Sequence, residues 1–344
     1  MEKYLILMHP YHNQVYYNTS KKLALLEFEA AAYRMSRTCE NIALENIHGI
    51  DYVTFNVDSL PSQDLKLISR LSFVYALFKQ EEYGGKTCLV PMTKDYGQYL
   101  EDDIVNILKY SGKTNEYFTK LMINLAVFAS DFYGQDRINL LDPVCGKGTS
   151  LFQGLIFGYN VSGVEIDKKL VDQGLAFLIK YLENKRFKHK VSKSKMSSEG
   201  TKICDITCIN LAKTKEEYKN NNMLEVNMVR GDTVNTDKYF KKNYFHVIVA
   251  DLPYGIQHGS NTGTGSFTRN PELLLQKALP AWTSVLKKGG SLVLSWNTFL
   301  LKRQNLHQLL EQAGLAVLEK ETYNQFEHRV DQAIMRDIIV ARKN

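Results

Sequence analysis

The sequence predicts an α/β protein with a mostly parallel sheet and a small amino-terminal α+β domain. From Ile138 onward, short apolar segments alternate with helical patterns, which is typical of a parallel sheet with helices on both faces. The last two apolar segments are joined by a polar loop, which favours an antiparallel last strand. The length of 344 residues is enough for about two domains.

Residues 1–110 are expected to form the α+β domain. Tyr4–Met8 and Asp51–Val57 have the short apolar or alternating patterns of strands. Lys21–Met35 and Asp64–Gln80 have apolar residues at helical spacing, so we expect a helix over each. No catalytic motif is evident in this region.

Residues 111–344 are expected to form the domain with the parallel sheet. A mostly apolar helix over Tyr117–Ser130 precedes the first strand. Seven strands are predicted, in chain order: Asn139–Asp142, Asn160–Glu165, Glu225–Arg230, Phe245–Asp251, Ser291–Trp296, Leu315–Thr322 and Arg336–Arg342. The long gap between the second and third strands predicts an insertion at residues 180–224.

Composition and hydropathy exclude several classes of protein. The sequence is 44% hydrophobic and 23% charged, as in ordinary globular proteins. No apolar run approaches the ~20 residues of a membrane-spanning helix, and the first apolar segment is too short for a signal peptide. Cys204 and Cys208 lie close together, but no second pair follows that would complete a zinc site. We therefore expect a cytoplasmic protein without membrane contact or structural metal.

The net charge of +6 is concentrated in residues 180–202 of the insertion. This segment has two glutamates and eight basic residues: Lys180, Lys185, Arg186, Lys188, Lys190, Lys193, Lys195 and Lys202. Such a basic segment attracts phosphate groups, because each neutralised phosphate of a nucleic acid releases a bound counterion. A phosphate-binding loop and a solvated loop are both compatible with the composition.

The first motif runs from a strand end into a helix start. Within Leu140–Leu151, Gly146 and Gly148 allow a tight turn and let a ligand approach the N–H groups of the helix. The glycine spacing fits neither a P-loop nor a dinucleotide fingerprint. Glu165 follows Gly148 by 17 residues, at a strand end, where a carboxylate can accept both hydroxyls of a ribose. Together with Asp142, this pattern predicts a nucleoside cofactor.

A third acid, Asp232, follows the next strand. It could reach the adenine end of such a cofactor, or it could simply form a turn with Gly231.

The second motif, Asp-Leu-Pro-Tyr-Gly, begins at Asp251. The preceding strand brings it to the carboxyl edge of the sheet, where open α/β sheets bind their ligands. Asp251 can accept a hydrogen bond from an amine, and Pro253 lacks an N–H, which leaves nearby carbonyls such as that of Leu252 available. Tyr254 offers a face on which a base can stack. The glycine-rich segment 255–268 is expected to be a loop that closes over a nucleotide, or else plain surface disorder.

These motifs resemble those of class I S-adenosylmethionine-dependent methyltransferases that modify exocyclic amines of bases. The resemblance is closest to the THUMP-associated tRNA guanine-N2 methyltransferases, and it extends from about Thr114 to the end. It is carried by Leu121–Ala126 (Leu-Met-Ile-Asn-Leu-Ala), Asp142–Gly148 (Asp-Pro-Val-Cys-Gly-Lys-Gly) and Asp251–Gly255. The resemblance implies a Rossmann-like sheet of seven strands, preceded by part of a ferredoxin-like, THUMP-associated module that could capture RNA.

The resemblance also implies a cofactor, a substrate and a role for each site residue. S-adenosylmethionine would be held by Asp142, Cys145, Gly146, Gly148, Glu165 and Asp232. The target base would be held by the catalytic residues Asp251, Leu252, Pro253 and Tyr254. The basic segment then becomes a flexible loop that contacts RNA through Lys188, Lys190, Lys193 and Lys195.

The chemistry of Asp251 favours guanine as the target. Guanine presents two adjacent donors, N1–H and the N2 amine, and an ionised aspartate can accept from both. Adenine presents its N6 amine beside an acceptor, which an asparagine would complement better. Together with the resemblance, which implies a methyltransferase of tRNA, this preference leads us to expect an RNA methyltransferase acting on guanine N2 of tRNA. The alternatives are adenine-N6 methylation of RNA or DNA, and a nucleic-acid-binding module without catalysis.

Overall fold

The computed structural model describes residues 1–10, 14–93, 97–110, 113–198, 201–253 and 271–344. The chain forms two compact units. The first comprises Met1–Gly97 and Glu319–Arg336, and the second comprises Gln98–Leu318 and Asp337–Asn344. The sequence pattern had not indicated that Glu319–Arg336 packs with the first unit.

The first unit contains an antiparallel sheet of five strands. Its strands are β1 (Glu2–Met8), β2 (Glu40–Ile47), β3 (Ile50–Val57), β4 (Val74–Tyr83) and β5 (Lys86–Met92), in the order β2-β3-β1-β4-β5. Its helices are α1 (Gln14–Ala32) and α2 (Ser62–Ser69).

One predicted helix of this unit is wrong in extent. The helix expected over Asp64–Gln80 ends at Ser69, and β4 begins at Val74. The apolar residues of β4 satisfy a helical spacing locally, but β1 and β5 supply backbone partners on both sides of this segment. Tertiary pairing therefore overrides the local pattern.

The second unit contains a larger sheet with helices. The strands of this sheet are β6 (Asn139–Asp142), β7 (Asn160–Glu165), β8 (Lys188–Ser198), β9 (Thr201–Ala212), β10 (Leu224–Arg230), β11 (Phe245–Asp251), β12 (Leu286–Asn297), β13 (Leu315–Val317), β14 (His328–Arg329) and β15 (Met335–Lys343). The helices are α3 (Asp103–Ile107), α4 (Glu116–Ala129), α5 (Thr149–Ile156), α6 (Lys168–Asn184), α7 (Lys215–Lys219), α8 (Thr236–Tyr239), α9 (Pro271–Val285) and α10 (Arg303–Gln312).

The strand order is β13-β15-β12-β11-β6-β7-β10-β9-β8, and β14 pairs with β15. The five strands from β12 to β10 run parallel, whereas β15 runs antiparallel to β13 and β14. This arrangement confirms the predicted fold class, a Rossmann-like and mostly parallel α/β sheet. All seven expected strands are present, and three further strands, β8, β9 and β14, enlarge the sheet to ten. The strand expected over Leu315–Thr322 was wrong in extent: it ends at Val317, because the chain from Glu319 onward packs with the first unit.

The described residues of the basic segment therefore do not form a flexible loop, and that expectation was wrong. Lys188–Ser198 forms β8, which pairs antiparallel with β9, and β9 pairs with β10. The physical reason lies in β9, whose alternating apolar residues Ile209 and Leu211 are buried. This strand offers β8 a row of backbone partners, and the lysines of β8 are compatible with an edge strand because their charged ends stay in water.

The core of the second unit places the apolar strands between helices. Trp282 of α9 and Trp296 of β12 are fully buried there, and nearly all of α4 is buried as well. No helix in the described ranges is both long and apolar enough to span a membrane.

The order in which the chain adds strands to the sheet reverses at β6. The chain passes from β6 to β7 on one side, and β11 later joins β6 on the other side. Such a switch point leaves a crevice at the carboxyl ends of the strands, where doubly wound sheets bind ligands.

Candidate functional site

Four carboxylate residues lie at the carboxyl ends of four adjacent strands. In the order of the strands, Asp232 follows β10, Glu165 ends β7, Asp142 ends β6 and Asp251 ends β11. Glu165, Asp142 and Asp251 are each the last residue of their strand, and Asp232 lies two residues beyond the end of β10. The structure therefore brings together, at the switch point, the four acids that the sequence singled out.

Asp142 is the most deeply buried of these acids, with 6% of its surface exposed. Its Oδ1 accepts a hydrogen bond from the N–H of Val144 at 3.0 Å, and its Oδ2 accepts one from the hydroxyl of Ser150. Burial raises the pKa of Asp142 to about 7, and the negative charges of Asp251 and Glu165 add to this effect. The site thus disfavours a third negative charge unless a cation is present.

The glycine turn follows Asp142 directly. Gly146 and Gly148 have φ angles of +53° and +94°, a left-handed conformation that favours glycine. Gly148 precedes α5, and a Cβ at Gly146 would meet no atom within 4 Å, so the turn borders open space. The side chain of Cys145 packs closely against Gly163. A Cβ atom added to Gly163 would lie only 2.6 Å from Sγ of Cys145.

Glu165 is tied to the same turn. Its Oε2 accepts the N–H of Gly146 at 3.0 Å, and its Oε1 accepts the N–H of Asp167 at 2.8 Å. Burial raises the pKa of Glu165. An ionised carboxylate has about four acceptor positions, so it has capacity for hydroxyl donors beyond these two N–H groups. The next residue, Ile166, has an exposed side chain, with 64% of its surface accessible.

Asp232 has a clear local role. Its side chain accepts the N–H of Val234 at 3.1 Å and so begins a short 3₁₀ turn. The hydroxyl of Tyr239 donates to its backbone carbonyl at 3.0 Å. The structure thus shows the turn that the sequence offered as an alternative; a contact of Asp232 with a cofactor stays a prediction.

Asp251 is held by a residue that sequence reasoning missed. The hydroxyl of Thr114 donates a hydrogen bond to Oδ2 of Asp251, across 137 positions of the chain. Asn115 follows Thr114 and caps α4 by accepting the N–H groups of Tyr117 and Phe118. The Thr-Asn pair before an apolar helix is a recognisable helix start, but this pattern does not reveal the partner of Thr114.

The other predicted residues of the second motif differ in their surroundings. Leu252 is buried and its N–H donates to the carbonyl of Ser295 at 2.8 Å, whereas Pro253 is exposed. Tyr254 and the glycine-rich segment 255–268 lie outside the described residues.

Tyr110, which the sequence analysis did not single out, lies next to the glycine turn. Tyr110 exchanges a hydrogen bond with Thr149 at 3.0 Å, and Nζ of Lys147 lies 4.2 Å from the centre of the Tyr110 ring. A cavity of about 400 Å³ adjoins this ring, lined by Asn106, Lys109, Tyr110, Lys113 and Glu116. Nothing in the spacing of these residues distinguishes them from an ordinary surface segment.

The four predicted substrate lysines lie elsewhere on the sheet. Lys188, Lys190, Lys193 and Lys195 are all exposed on β8. Four strands, β9, β10, β7 and β6, separate β8 from β11. The structure therefore does not bring these lysines into contact with the acids of the carboxyl edge.

Within the described part of the chain, no group of three or more His, Cys, Asp or Glu side chains is arranged to hold a metal ion.

Comparisons with known proteins concern the chain as a whole. No protein-family model matches the sequence, and no curated protein matches it. Among solved structures, TrmN from Thermus thermophilus is similar at 12% identity over 100% of both chains, with a TM-score of 0.45. The rRNA methyltransferase aviRa from Streptomyces viridochromogenes is 13% identical over 69% of this chain and 89% of its own, with a TM-score of 0.41. An rRNA methylase from Streptococcus thermophilus is 9% identical over 68% of this chain and 99% of its own, with a TM-score of 0.36.

Proposed function

We propose that this protein is an S-adenosylmethionine-dependent methyltransferase that acts on an exocyclic amine of a base in RNA, namely guanine N2 of tRNA. One observation carries the proposal. Asp232, Glu165, Asp142 and Asp251 follow one another at the carboxyl ends of adjacent strands, around the switch point of a Rossmann-like sheet. This order supports a nucleoside cofactor on one side of β6 and an amine substrate on the other.

The residues present fit S-adenosylmethionine. Gly146 borders open space at the start of α5, so the backbone there leaves room for a ligand. Glu165 has acceptor capacity for ribose hydroxyls, and the exposed side chain of Ile166 beside it offers an apolar surface for an adenine ring. The cofactor carries a sulfonium and an ammonium group, and these cations complement the negative charges near Asp142.

The chain's own residues would act by orientation and electrostatics. When bound, the cofactor supplies a methyl group already activated on sulfur, so the protein need not provide a strong base. Asp251 would accept a hydrogen bond from the attacking amine and stabilise the positive charge that develops on its nitrogen. Thr114 fixes the orientation of this carboxylate through its own hydrogen bond. Leu252, anchored by Ser295, would place its carbonyl beside the same amine.

The choice of guanine follows from the donor pattern that Asp251 can accept. An ionised carboxylate accepts from both N1–H and the N2 amine, whereas the N6 amine of adenine lies beside an acceptor. Exposed lysines on β8 support an RNA substrate, because lysine side chains neutralise the phosphate groups of a nucleic-acid backbone.

A transfer assay tests this proposal. Purified protein and labelled S-adenosylmethionine are offered unmodified tRNA, ribosomal RNA and duplex DNA, and the products are identified by nucleoside mass spectrometry. We expect N2-methylguanosine in tRNA. N6-methyladenosine would retain the methyltransferase but refute the argument for guanine. Measurable cofactor binding without transfer to any of the three would favour the non-catalytic alternative.

Variants of Asp251 test the assigned role. Asp251→Ala should lower kcat by about 10²–10³-fold, because the aligned acceptor is lost, while cofactor affinity stays within about twofold. Thr114→Val should reduce kcat by a smaller factor, and Thr114→Ser should retain activity because it keeps the hydroxyl. Asp172→Ala, at an exposed position on α6, serves as the control. Full activity of Asp251→Ala would refute the assignment.

A further inference from the structure

The hairpin formed by β8 and β9 is an addition to the seven strands that the sequence predicted. Among the described residues, β8 has β9 as its one strand neighbour, so it forms an edge of the sheet. The eleven residues of β8, Lys-His-Lys-Val-Ser-Lys-Ser-Lys-Met-Ser-Ser, include four lysines and no acid. Burial in the core does not explain this basic composition, because none of the side chains described in β8 is buried.

The four lysines divide between the two faces of the hairpin. The register between β8 and β9 is regular from Lys188 to Lys195, and it shifts only between Met196 and Ser197. Successive residues of a regular strand point to opposite faces. Lys188 and Lys190 therefore project from one face, and Lys193 and Lys195 project from the other.

These lysines differ from their neighbours in lacking acidic partners. Lys185 lies 2.6 Å from both Glu101 and Asp103, and Lys180 lies 3.6 Å from Glu183. Within the described ranges, no ion pair involves any of the four lysines of β8. Asp205 is opposite Lys195 in the register, but its carboxylate pairs with Arg230 at 3.4 Å. The positive charge of β8 is thus available to an external anion.

Along the strand direction, the hairpin reaches the level of Glu165 at the carboxyl edge of the sheet. Lys195 is opposite Asp205, Asp205 is opposite Arg230, and Arg230 is opposite Glu165. From Lys195, β8 continues three more residues to Ser198, or about 10 Å past this level. Five strand spacings separate β8 from β11, which corresponds to about 24 Å across the sheet.

We propose that the β8–β9 hairpin is a docking surface for a double-helical stem of the substrate RNA, with each lysine pair facing one of the two phosphate strands. This inference rests on the proposed function and names the part of the RNA that the enzyme grips. A single strand has one backbone, which one face of the hairpin would suffice to bind. Lysines on both faces of the edge strand of a sheet instead match a groove flanked by two backbones. In an RNA helix the wide, shallow minor groove admits such contacts through phosphates and 2′-hydroxyls.

The same lysines have a competing explanation that the test must separate. Lysines on an edge strand also prevent sheets from pairing edge to edge. Edge protection requires charge but no nucleic acid, so it predicts that removal of the lysines leaves RNA affinity unchanged and increases self-association.

Binding measurements on the full chain distinguish these explanations. The probes are a fluorescent RNA stem-loop and a single-stranded RNA with the same number of phosphates, titrated over a series of salt concentrations. The variants are K188A/K190A for one face, K193A/K195A for the other, and the fourfold combination. Lys180→Ala, which removes a lysine already paired with Glu183, is the matched control.

We expect each double variant to weaken stem-loop binding about tenfold and to reduce the salt slope by about two, and the fourfold variant by about four. The single-stranded probe should bind more weakly and respond less to all three variants. Equal loss on both probes, an effect of only one lysine pair, or unchanged affinity would each overturn the inference. Thermal unfolding and cofactor binding, expected to match the wild type, show that the variants are folded.

Failure of this inference and failure of the proposed function give different results. If the wild type methylates tRNA but the lysine variants bind the stem-loop normally, the docking surface is wrong and the function stands. If no methyl transfer occurs but stem-loop binding depends on both lysine pairs, the docking surface stands and the methyltransferase proposal fails.

Discussion

The buried carboxyl of Asp142 makes the stability of the second unit depend on pH. Replacement by asparagine removes the charge but preserves the local geometry. The amide oxygen can accept the N–H of Val144, and the amide nitrogen can donate to the hydroxyl of Ser150. The variant therefore isolates the free-energy cost of ionising this side chain in the folded state.

The sign and size of the effect follow from the pKa of Asp142. Its ordinary value is 3.8 and its value in the folded protein is about 7. The folded state thus holds the proton more tightly than the unfolded state. The contribution of Asp142 leaves the unfolding free energy undiminished below about pH 4, lowers it between pH 4 and 7, and reduces it by about 4 kcal/mol above that range. The unfolding free energy of Asp142→Asn relative to the wild type should therefore rise by about 4 kcal/mol over the same interval.

Urea unfolding at several pH values, without cofactor, provides the assay. The chain has two tryptophans, Trp282 and Trp296, and both are buried in the second unit, so their fluorescence reports on that unit alone. Asp172→Asn, at an exposed position, should show no pH-dependent difference from the wild type. A difference for Asp142→Asn that is constant with pH, or that shrinks as pH rises, would refute the reasoning.

Two further predictions concern the same site. The affinity for S-adenosylmethionine should increase about tenfold from pH 6 to pH 8, because a cationic ligand prefers the ionised Asp142 and the pKa of this group lies near 7. Calorimetry in buffers of different ionisation enthalpy should detect the proton that Asp142 releases when the ligand binds. An equal pH dependence of the affinity in Asp142→Asn would contradict this origin. Gly163→Ala should destabilise the second unit by about 1–3 kcal/mol, because the new methyl group would lie 2.6 Å from Sγ of Cys145 and 2.8 Å from Cδ1 of Leu151. Thermal unfolding measures this loss of stability, and adding Cys145→Ala to the variant should restore part of it. Wild-type stability of the single variant Gly163→Ala would show that this contact is not tight.

The sequence could predict those parts of the fold that depend on local pattern. The strands β6, β7 and β11 have the predicted bounds, because each is a short segment that ends at an acid. For the same reason, the acids of the carboxyl edge could be found from the sequence alone.

Other features could not be predicted because they depend on distant partners. The charge of residues 180–202 suggested a flexible loop that contacts RNA, and only the pairing with β9 makes Lys188–Ser198 a strand. The role of Thr114 depends on Asp251, and no local pattern links two residues so far apart.

The position of β15 has a consequence for how the protein is synthesised. This strand lies between β12 and β13 in the sheet, although it is made after both of them. The residues before it, Glu319–Arg336, also complete the first unit. A nascent chain on the ribosome therefore cannot close either unit until residues beyond 318 have emerged. Translation that stops before Met335 should release a chain with an open sheet, which cellular proteases would remove, so incomplete copies are not expected to accumulate.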